Sequence, residues 1–145
     1  MQPLPFSKVA IINRGEPAVR FLRALQEFNL IHRTDIKGVA LYTEPDERAP
    51  FVRQADESIC LDQVMRQQID GSVVNAYCDH QYLLGLLKQH QCDAVWPGWG
   101  FISEDPVFVE LLEENNITFL GPSSSAMSQL GDKIAAKYLA EASNV

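Results

Sequence analysis

The stretch that decides the fold is KVAIINRGEPAVRFLRALQEF, residues 8–28. Its first part, residues 8–13, is a short apolar run rich in β-branched side chains, which is typical of a strand buried on both faces. Gly15 follows, and Pro17 opens a helical pattern at a position where the missing N–H has no partner to lose. Apolar residues then recur at spacings of three and four as far as Phe28, which predicts an amphipathic helix. A strand, a tight turn and a helix form the first half of a βαβ unit.

Strands alternate with helices through the rest of the chain. The polar stretch at residues 63–76, which contains Gly71 and Ser72, is interpreted as an irregular loop. The alternation predicts an α/β fold, a Rossmann-like and mostly parallel sheet with helices on both faces. Further strands are predicted at residues 36–42, 57–61, 94–96 and 117–120. Helices are predicted at residues 49–54, from an Asp79 N-cap to His90, from an Asp105-Pro106 start, and at residues 123–130 and 133–142.

The composition is that of an ordinary soluble domain. The 145 residues are 46% hydrophobic and 21% charged, and this length suits one domain with its own core. The net charge of −7 argues against nucleic acid or an anionic membrane as a partner, since both need clustered basic side chains. No segment has the roughly 20 apolar residues of a membrane span. Residues 1–7, a short N-terminal extension, lack the apolar run of a signal peptide, so we expect a cytoplasmic protein.

Three cysteines and three histidines are scattered along the chain without the spacing of a metal site. Cys60, Cys78 and Cys92 form no Cys-x-x-Cys pair, and their odd number does not suit a secreted disulfide framework. We expect reduced thiols that are mostly buried, and no metal ion bound by this chain.

Three segments follow strands of the predicted sheet, and ligands of open α/β sheets bind beyond the carboxyl ends of the strands. The first, residues 13–16, has one glycine and so lacks the Gly-x-Gly-x-x-Gly pattern that holds a dinucleotide pyrophosphate. The chain has no Walker A loop either. An ordinary NAD or P-loop enzyme is thereby disfavoured. A dinucleotide-binding protein stays open as an alternative, which NAD calorimetry would test.

The second segment, WPGWGFISED at residues 96–105, is the most unusual in the chain. Gly98 and Gly100 allow positive φ angles or a close approach of the backbone to another group. We expect Trp96, at a strand end, to pack in the core. The turn around Trp99 fits packing and ligand binding equally well.

The third segment, residues 121–133, ends in Gly131-Asp132-Lys133. A lysine at a helix start can meet a phosphate, because the helix N-terminus also favours anions. An ordinary surface lysine is the competing interpretation.

Taken in order, these segments resemble the N-terminal domain of biotin carboxylases, the ATP-grasp enzymes within acyl-CoA, pyruvate and related carboxylases. The family's Ala-Asn-Arg-Gly-Glu is present as residues 12–16, with Ile first, and its His-Pro-Gly-Tyr-Gly-Phe-Leu-Ser-Glu-Asn loop as residues 96–105. Its Gly-Pro and Met-Gly-Asp-Lys elements correspond to residues 121–122 and 130–133, and its Ala-Asp-Glu to residues 55–57. The resemblance runs from about residue 8 to the last residue.

Departures from the family pattern bear on the substrate. Trp96 and Trp99 stand where the family has His and Tyr, which resembles the large single-chain acetyl-CoA carboxylases. Arg14, Glu16, Phe101 and Ser103 instead resemble the bacterial and mitochondrial enzymes. We expect an acyl-CoA carboxylase of fatty acid biosynthesis as the parent, while the final carboxyl acceptor stays open.

The resemblance implies an ATP-dependent ligase that activates bicarbonate as carboxyphosphate and carboxylates N1′ of carrier-bound biotin. Magnesium ions would bridge the nucleotide phosphates. By the same resemblance Lys133 contacts ATP. The loop residues Gly98, Trp99, Gly100 and Glu104 line the end of the site that takes biotin and bicarbonate.

The resemblance also implies partners. Arg20, Arg23 and Glu27 match helix positions used in a bacterial homodimer, and a solvated helix face is the competing interpretation. The other partners implied are the rest of the biotin carboxylase and the biotin carrier and carboxyltransferase domains.

Residues 8–122 correspond to the family's N-terminal domain, a pre-ATP-grasp fold. Residues 123–145 correspond to the start of a helical connection into the ATP-grasp region, which the chain leaves incomplete. The family's glycine-rich lid, acidic magnesium ligands and carboxyphosphate-binding arginine would lie beyond residue 145. We therefore expect no catalytic or metal-binding residue in this chain, no tight binding of ATP, Mg²⁺ or biotin, and no activity of the chain alone, since phosphoryl transfer depends on those groups.

Two further interpretations stay open. The same preceding domain occurs in other ATP-grasp ligases, those of purine biosynthesis and carbamoyl-phosphate synthesis. A free-standing binding module without activity would also fit. The sequence WPGWG at residues 96–100, followed by Ser103 and Glu104, favours biotin-dependent carboxylation over the other ligases.

Overall fold

A computed structural model of the chain describes residues 5–131, and its centre is a parallel sheet of five strands. The sheet strands are β1 (Lys8–Ile11), β2 (Lys37–Thr43), β3 (Glu57–Leu61), β6 (Ala94–Trp96) and β7 (Thr118–Phe119). Two further strands, β4 (Met65–Gln67) and β5 (Val73–Asn75), form a separate antiparallel hairpin. The order across the sheet is β3-β2-β1-β6-β7, so β1 lies at the centre.

Helices cover both faces of the sheet, as the sequence predicts. They are α1 (Gly15–His32), α2 (Pro50–Gln54), α3 (His80–Gln89), α4 (Pro106–Glu114) and α5 (Ser124–Gly131). Successive side chains of a strand point to opposite faces. Ala10 accordingly packs with residues of α3 and α4, whereas Ile11 packs with residues of α1 and α2. Burial on both faces explains why β1 is continuously apolar.

Helix α1 buries a stripe formed by Ala18, Leu22 and Leu25 against the sheet. It begins at Gly15, two residues before the predicted start at Pro17. The first four N–H groups of a helix have no partner within it, so a proline at the third position breaks no hydrogen bond. The helix ends at His32 and is capped by Arg33, whose φ of 55° is left-handed and whose N–H donates to the Asn29 carbonyl.

Most predicted elements are confirmed in position, including β3 and β6 at residues 57–61 and 94–96. The predicted N-caps are confirmed as well: the Asp79 side chain accepts from the Tyr82 N–H, and the Asp105 side chain accepts from two N–H groups of α4. The helix predicted at residues 133–142 lies outside the described residues.

The interpretation of residues 63–76 as an irregular loop is wrong, because the segment contains the β4–β5 hairpin. Met65 pairs with Asn75 and Gln67 with Val73 across the two strands. The segment is too polar to show the alternation by which strands are recognised. The hairpin is instead attached to the rest of the domain by polar contacts. Arg66 and Gln68 both donate to the Asp79 carboxylate at 3.0 Å.

The three cysteines are free thiols. Cys92 is buried, Cys78 is half-buried and Cys60 is exposed, so the expectation of mostly buried thiols is wrong for Cys60. Burial raises the pKa of Cys92 to about 11 and also raises the pKa of Cys78. These two thiols stay protonated at neutral pH and are poor nucleophiles.

Candidate functional site

The loop of residues 97–104 directly follows Trp96, the last residue of β6, and is called the WPGWG loop below. It leaves the sheet where the strand order reverses. The chain builds the sheet from β1 outward through β2 and β3, then returns to the other side of β1 with β6. Such a switch point opens a crevice beyond the carboxyl ends of the two central strands, where α/β proteins bind ligands. The structure therefore brings together two of the predicted segments, residues 13–16 and residues 97–104.

The side chain of Asn13 occupies this crevice, and the residue is only 4% exposed. Its Nδ2 donates to the carbonyl oxygens of Pro97, at 2.7 Å, and Trp99, at 3.0 Å. Its Oδ1 accepts from the Arg14 N–H at 2.8 Å. Sequence reasoning missed this role, because the partners lie 84 and 86 positions along the chain. A crevice occupied by this side chain does not favour the dinucleotide-binding interpretation.

The backbone of the WPGWG loop needs its two glycines for different reasons. Gly98 and Gly100 have φ angles of 63° and 76°, a region that other residues enter only with strain. A Cβ on Gly98 would also lie 2.7 Å from Asn13 Nδ2 and 2.8 Å from a ring carbon of Trp96. A Cβ on Gly100 would meet no atom within 4 Å. Gly98 is therefore fixed by packing as well as by its angle, and Gly100 by its angle alone.

The two tryptophans of this segment have different environments. Trp96 is half-buried, and its ring stacks on Phe21 of α1 at a centroid distance of 4.4 Å and an interplanar angle of 15°. The packing role predicted for Trp96 is thus confirmed. Trp99 is 72% exposed, so core packing does not account for it. Both rings border an open groove of 350 Å³ that also includes Arg20 of α1.

The second half of the loop is fastened by apolar contacts. Ile102 is completely buried, and the Phe101 ring stacks on Tyr77 at 4.8 Å. The Tyr77 hydroxyl donates to the Leu41 carbonyl in β2 at 2.8 Å. Burial raises the pKa of Tyr77 far above its ordinary value, and the nearby charge of Asp46 adds to this. The hydroxyl is therefore a permanent donor, and it fixes the aromatic pair to the sheet.

An ion pair that the sequence does not reveal joins the ends of β1 and β2. Arg14 Nη2 donates to Asp46 Oδ1 at 2.9 Å, and Arg14 Nε lies 2.8 Å from Asp46 Oδ2. In the second contact the Nε–H does not point at Oδ2. The buried Oδ2 therefore interacts with the guanidinium by charge, without a hydrogen bond. The pair connects the residue before α1 to the segment that follows β2.

Glu104 faces a second cavity, of 430 Å³, at the other end of the loop. Its lining also includes Ser103 and, from the third predicted segment, Pro122, Met127 and Gly131. Gly131 is the last described residue. The predicted ATP contact, Lys133, lies outside the described residues. Among the predicted site residues, Glu104 thus lies beside the third segment, while Trp99 faces the groove along α1.

A His–Asp pair closes the far end of the loop and was also missed. His80 Nε2 lies 2.8 Å from Asp105 Oδ2. Asp105 Oδ1 accepts from the N–H groups of Val107 and Phe108 at the start of α4. Asp105 therefore joins the starts of α3 and α4 directly after the loop.

The predicted dimer-face residues Arg20, Arg23 and Glu27 are exposed on α1. Among the described residues, Arg20 forms one long ion pair, 3.6 Å from Glu16, with both side chains largely in solvent. Such exposed pairs contribute little to stability. Arg23 borders a separate groove between α1 and α2.

Within residues 5–131, no three His, Cys, Asp or Glu side chains are grouped as metal ligands would be. The helices in this range are also too short or too polar to cross a membrane.

Comparison with known proteins gives concordant matches. A family model described as biotin carboxylase, N-terminal domain, matches residues 5–127. Biotin carboxylase 1 of Bacillus subtilis (strain 168) is 38% identical over 130 residues, which cover 90% of this chain and 26% of the relative. Pyruvate carboxylase of the same organism is 32% identical over 145 residues, covering 100% of this chain and 12% of the relative. The chain therefore spans only a minor part of each relative.

A solved structure has the same fold. It is the biotin carboxylase domain dimer of the 2-oxoglutarate carboxylase from Hydrogenobacter thermophilus, in complex with MgADP, ADP and bicarbonate. The TM-score is 0.80 at 32% identity, and the match covers 97% of this chain and 28% of that one.

Proposed function

This chain belongs to the biotin carboxylase N-terminal domain family, and from that premise we propose that it is the N-terminal domain of a biotin-dependent carboxylase. The parent protein is then an ATP-dependent ligase that activates bicarbonate and transfers the carboxyl group to carrier-bound biotin. The MgADP and bicarbonate bound in the 2-oxoglutarate carboxylase domain support this substrate set. Because the chain covers 26% of a single-function relative, the reaction requires further domains.

The observation that carries this proposal is the exposed end of the WPGWG loop. Trp99 is 72% exposed on a loop whose other side is buried and hydrogen-bonded. A large aromatic ring held in solvent by a rigid backbone is suited to contact a ligand or a second domain. We assign Gly98, Trp99, Gly100 and Glu104 to the end of the active site that takes biotin and bicarbonate.

The residues present fit this assignment in part. Gly100 is exposed and its backbone N–H has no acceptor within residues 5–131, so it can donate to a carbonyl or carboxylate oxygen. The cavity beside Glu104 is large enough for part of a substrate. For Mg²⁺, residues 5–131 offer no group of three ligands. We therefore assign the metal to the nucleotide phosphates and to parts of the parent protein other than this segment.

For ATP, we propose Lys133 as the contact contributed by this chain. Its side chain would stabilise phosphate charge. Lys133→Gln in the full-length protein is expected to raise the KM for ATP and to leave the KM for biotin unchanged. An unchanged KM for ATP would remove Lys133 from the site.

We propose an acyl-CoA, with acetyl-CoA first, as the final acceptor, in a cytoplasmic enzyme of fatty acid biosynthesis. The support is the resemblance of Trp96 and Trp99 to large single-chain acetyl-CoA carboxylases. The relatives above are named for pyruvate and 2-oxoglutarate, so these acids are the competing acceptors. Carboxylation assays with acetyl-CoA, propionyl-CoA, pyruvate and 2-oxoglutarate distinguish them, and cell fractionation tests the location.

Partners are proposed on the same basis: a biotin carrier, a carboxyltransferase and a second copy of the biotin carboxylase. The dimer described for the 2-oxoglutarate carboxylase domain supports the last of these. We propose the α1 face with Arg20, Arg23 and Glu27 as the contact. Arg23→Glu should shift the full-length protein toward monomers in analytical ultracentrifugation, and an unchanged mass would assign the dimer to another face.

The reaction itself is tested by ADP release from the full-length protein. We expect release that depends on bicarbonate and is stimulated by free biotin, with ¹⁴C from bicarbonate recovered in carboxybiotin. The 145-residue chain alone is expected to release no ADP. Full-length protein without bicarbonate-dependent release would contradict the proposed function, and release by the chain alone would contradict the need for further domains.

A further inference from the structure

The two carbonyl groups bound by Asn13 determine the direction of two backbone donors. The described chain contains no cis peptide bond, and in a trans peptide unit the C=O and the following N–H point in opposite directions. Nδ2 of Asn13 holds the oxygens of Pro97 and Trp99. The N–H groups of Gly98 and Gly100 are therefore turned away from Asn13.

Neither of these N–H groups has an acceptor within residues 5–131. Gly100 is exposed, and its α-carbon faces open space. A backbone N–H is a strong donor that needs a partner. The Gly100 N–H is thus available to an oxygen atom arriving from solvent.

The orientation of the Asn13 amide is fixed. A flipped amide would place Oδ1 against two carbonyl oxygens and Nδ2 against the Arg14 N–H, which would remove all three hydrogen bonds. Gly98 leaves no spare room, because a Cβ there would lie 2.7 Å from Nδ2. The loop donors are therefore preorganised before any ligand binds.

We propose that Asn13 is a positioning residue that aims the Gly100 N–H at a substrate oxygen in biotin carboxylation. This inference rests on the proposed function. The oxygen is a carbonyl or carboxylate acceptor, supplied either by the ureido group of biotin or by bicarbonate. A donor fixed in advance stabilises developing negative charge without reorganisation.

The test compares Asn13→Asp with Asn29→Asp in the full-length protein. Asn13→Asp keeps the shape but replaces the Nδ2 donor with an oxygen that repels the Pro97 and Trp99 carbonyls. Asn29 is a matched control, because its Nδ2 donates to the Ile36 carbonyl at 2.9 Å and its Oδ1 accepts from the Ile36 N–H at 3.0 Å. It does so at the opposite end of the sheet.

We expect Asn13→Asp to lower kcat/KM for biotin or for bicarbonate by about 10- to 100-fold, since misplaced donors have effects of this size. The KM for ATP should stay at the wild-type value. The substrate whose KM rises identifies the oxygen. Asn29→Asp should leave all three KM values unchanged at a similar loss of thermal stability.

Equal losses of kcat/KM in both variants, or wild-type kinetic parameters for Asn13→Asp, would overturn the inference while leaving the proposed function intact. Inactive wild-type protein would instead contradict the proposed function. If Asn13→Asp does not yield folded protein, Asn13→Ser replaces it in the test, because the serine hydroxyl is a shorter donor and adds no charge. The same selective loss is expected for it, and its absence would also overturn the inference.

Discussion

The WPGWG loop and the β4–β5 hairpin both project from the layered core, but they are fastened by different chemistry. The loop is held by the neutral amide of Asn13 and by the fully buried Ile102. The hairpin is held mainly by the Asp79 carboxylate, which accepts from Arg66 and Gln68. The Arg66 guanidinium also lies 3.5 Å from the centre of the Tyr82 ring.

The two segments also differ in what they present to solvent. The loop exposes Trp99 and Gly100, whose N–H has no acceptor within residues 5–131, at the switch point of the sheet. The hairpin exposes the apolar side chains of Ile69 and Val73 and belongs to a separate two-stranded sheet. The loop is the candidate site because one side of it is fixed by packing and hydrogen bonds while its exposed end can contact a ligand. The hairpin has an anchor without such an end.

The largest expected difference between the segments concerns their isoleucines. Ile102→Ala removes a fully buried side chain and should lower the free energy of unfolding by about 2–5 kcal/mol. Ile69→Ala, at the fully exposed tip of the hairpin, should change it by less than about 0.5 kcal/mol. Urea unfolding of both variants measures this. Similar losses would mean that the loop is no better packed than the hairpin.

The next largest effect separates the two loop glycines. Gly98→Ala combines a positive φ with a close contact to Asn13 and should cost about 2–4 kcal/mol. Gly100→Ala has the positive φ but open space, and should cost about 1–2 kcal/mol. Chemical denaturation tests the order, and a larger loss for Gly100→Ala would show that Asn13 and Gly98 are not in close contact.

The hairpin anchor should be weaker. Asp79→Asn loses the charge-assisted bonds from Arg66 and Gln68 and should lower the free energy of unfolding by about 1.5–3 kcal/mol. Asp70→Asn is the control, since Asp70 is exposed and bonds only to Ser72 among the described residues. A loss no greater than that of Asp70→Asn would show that the carboxylate does not hold the hairpin.

Acid should weaken the hairpin anchor selectively. Burial disfavours the charged Asp79, but hydrogen bonds from Gln68, the Tyr82 N–H and Arg66 outweigh this and lower its pKa. Because the folded-state pKa is lowered, the stabilisation is complete above the unfolded value of about 3.9 and is lost as pH falls through the folded value. The stability difference between wild type and Asp79→Asn should therefore shrink below about pH 4. A difference constant down to pH 2 would contradict this assignment.

The features that can be predicted from the sequence are those determined by residues a few positions apart in the chain. The N-caps at Asp79 and Asp105, and the packing of Trp96 at a strand end, follow from patterns within a few positions. The hairpin escaped prediction because its inward side chains, Arg66 and Gln68, are polar and bind a carboxylate rather than an apolar core.

Long-range partners explain the remaining gaps in the site. Asn13 meets Pro97 across 84 positions, and Arg14 meets Asp46 across 32. No local pattern encodes such pairs. The resemblance of the loop to a known family identified the segment, but only the fold shows which side chain holds it in place.

The most direct test of this account is hydrogen exchange in the full-length protein, followed in peptides that cover the WPGWG loop and the β4–β5 hairpin. Addition of bicarbonate, MgADP and biotin together should slow exchange in the loop, with the Gly100 amide most protected, and leave the hairpin unchanged. Protection of the hairpin alone, or no change in either segment despite bound ligands, would contradict the claim that the loop is the substrate-facing edge of this domain.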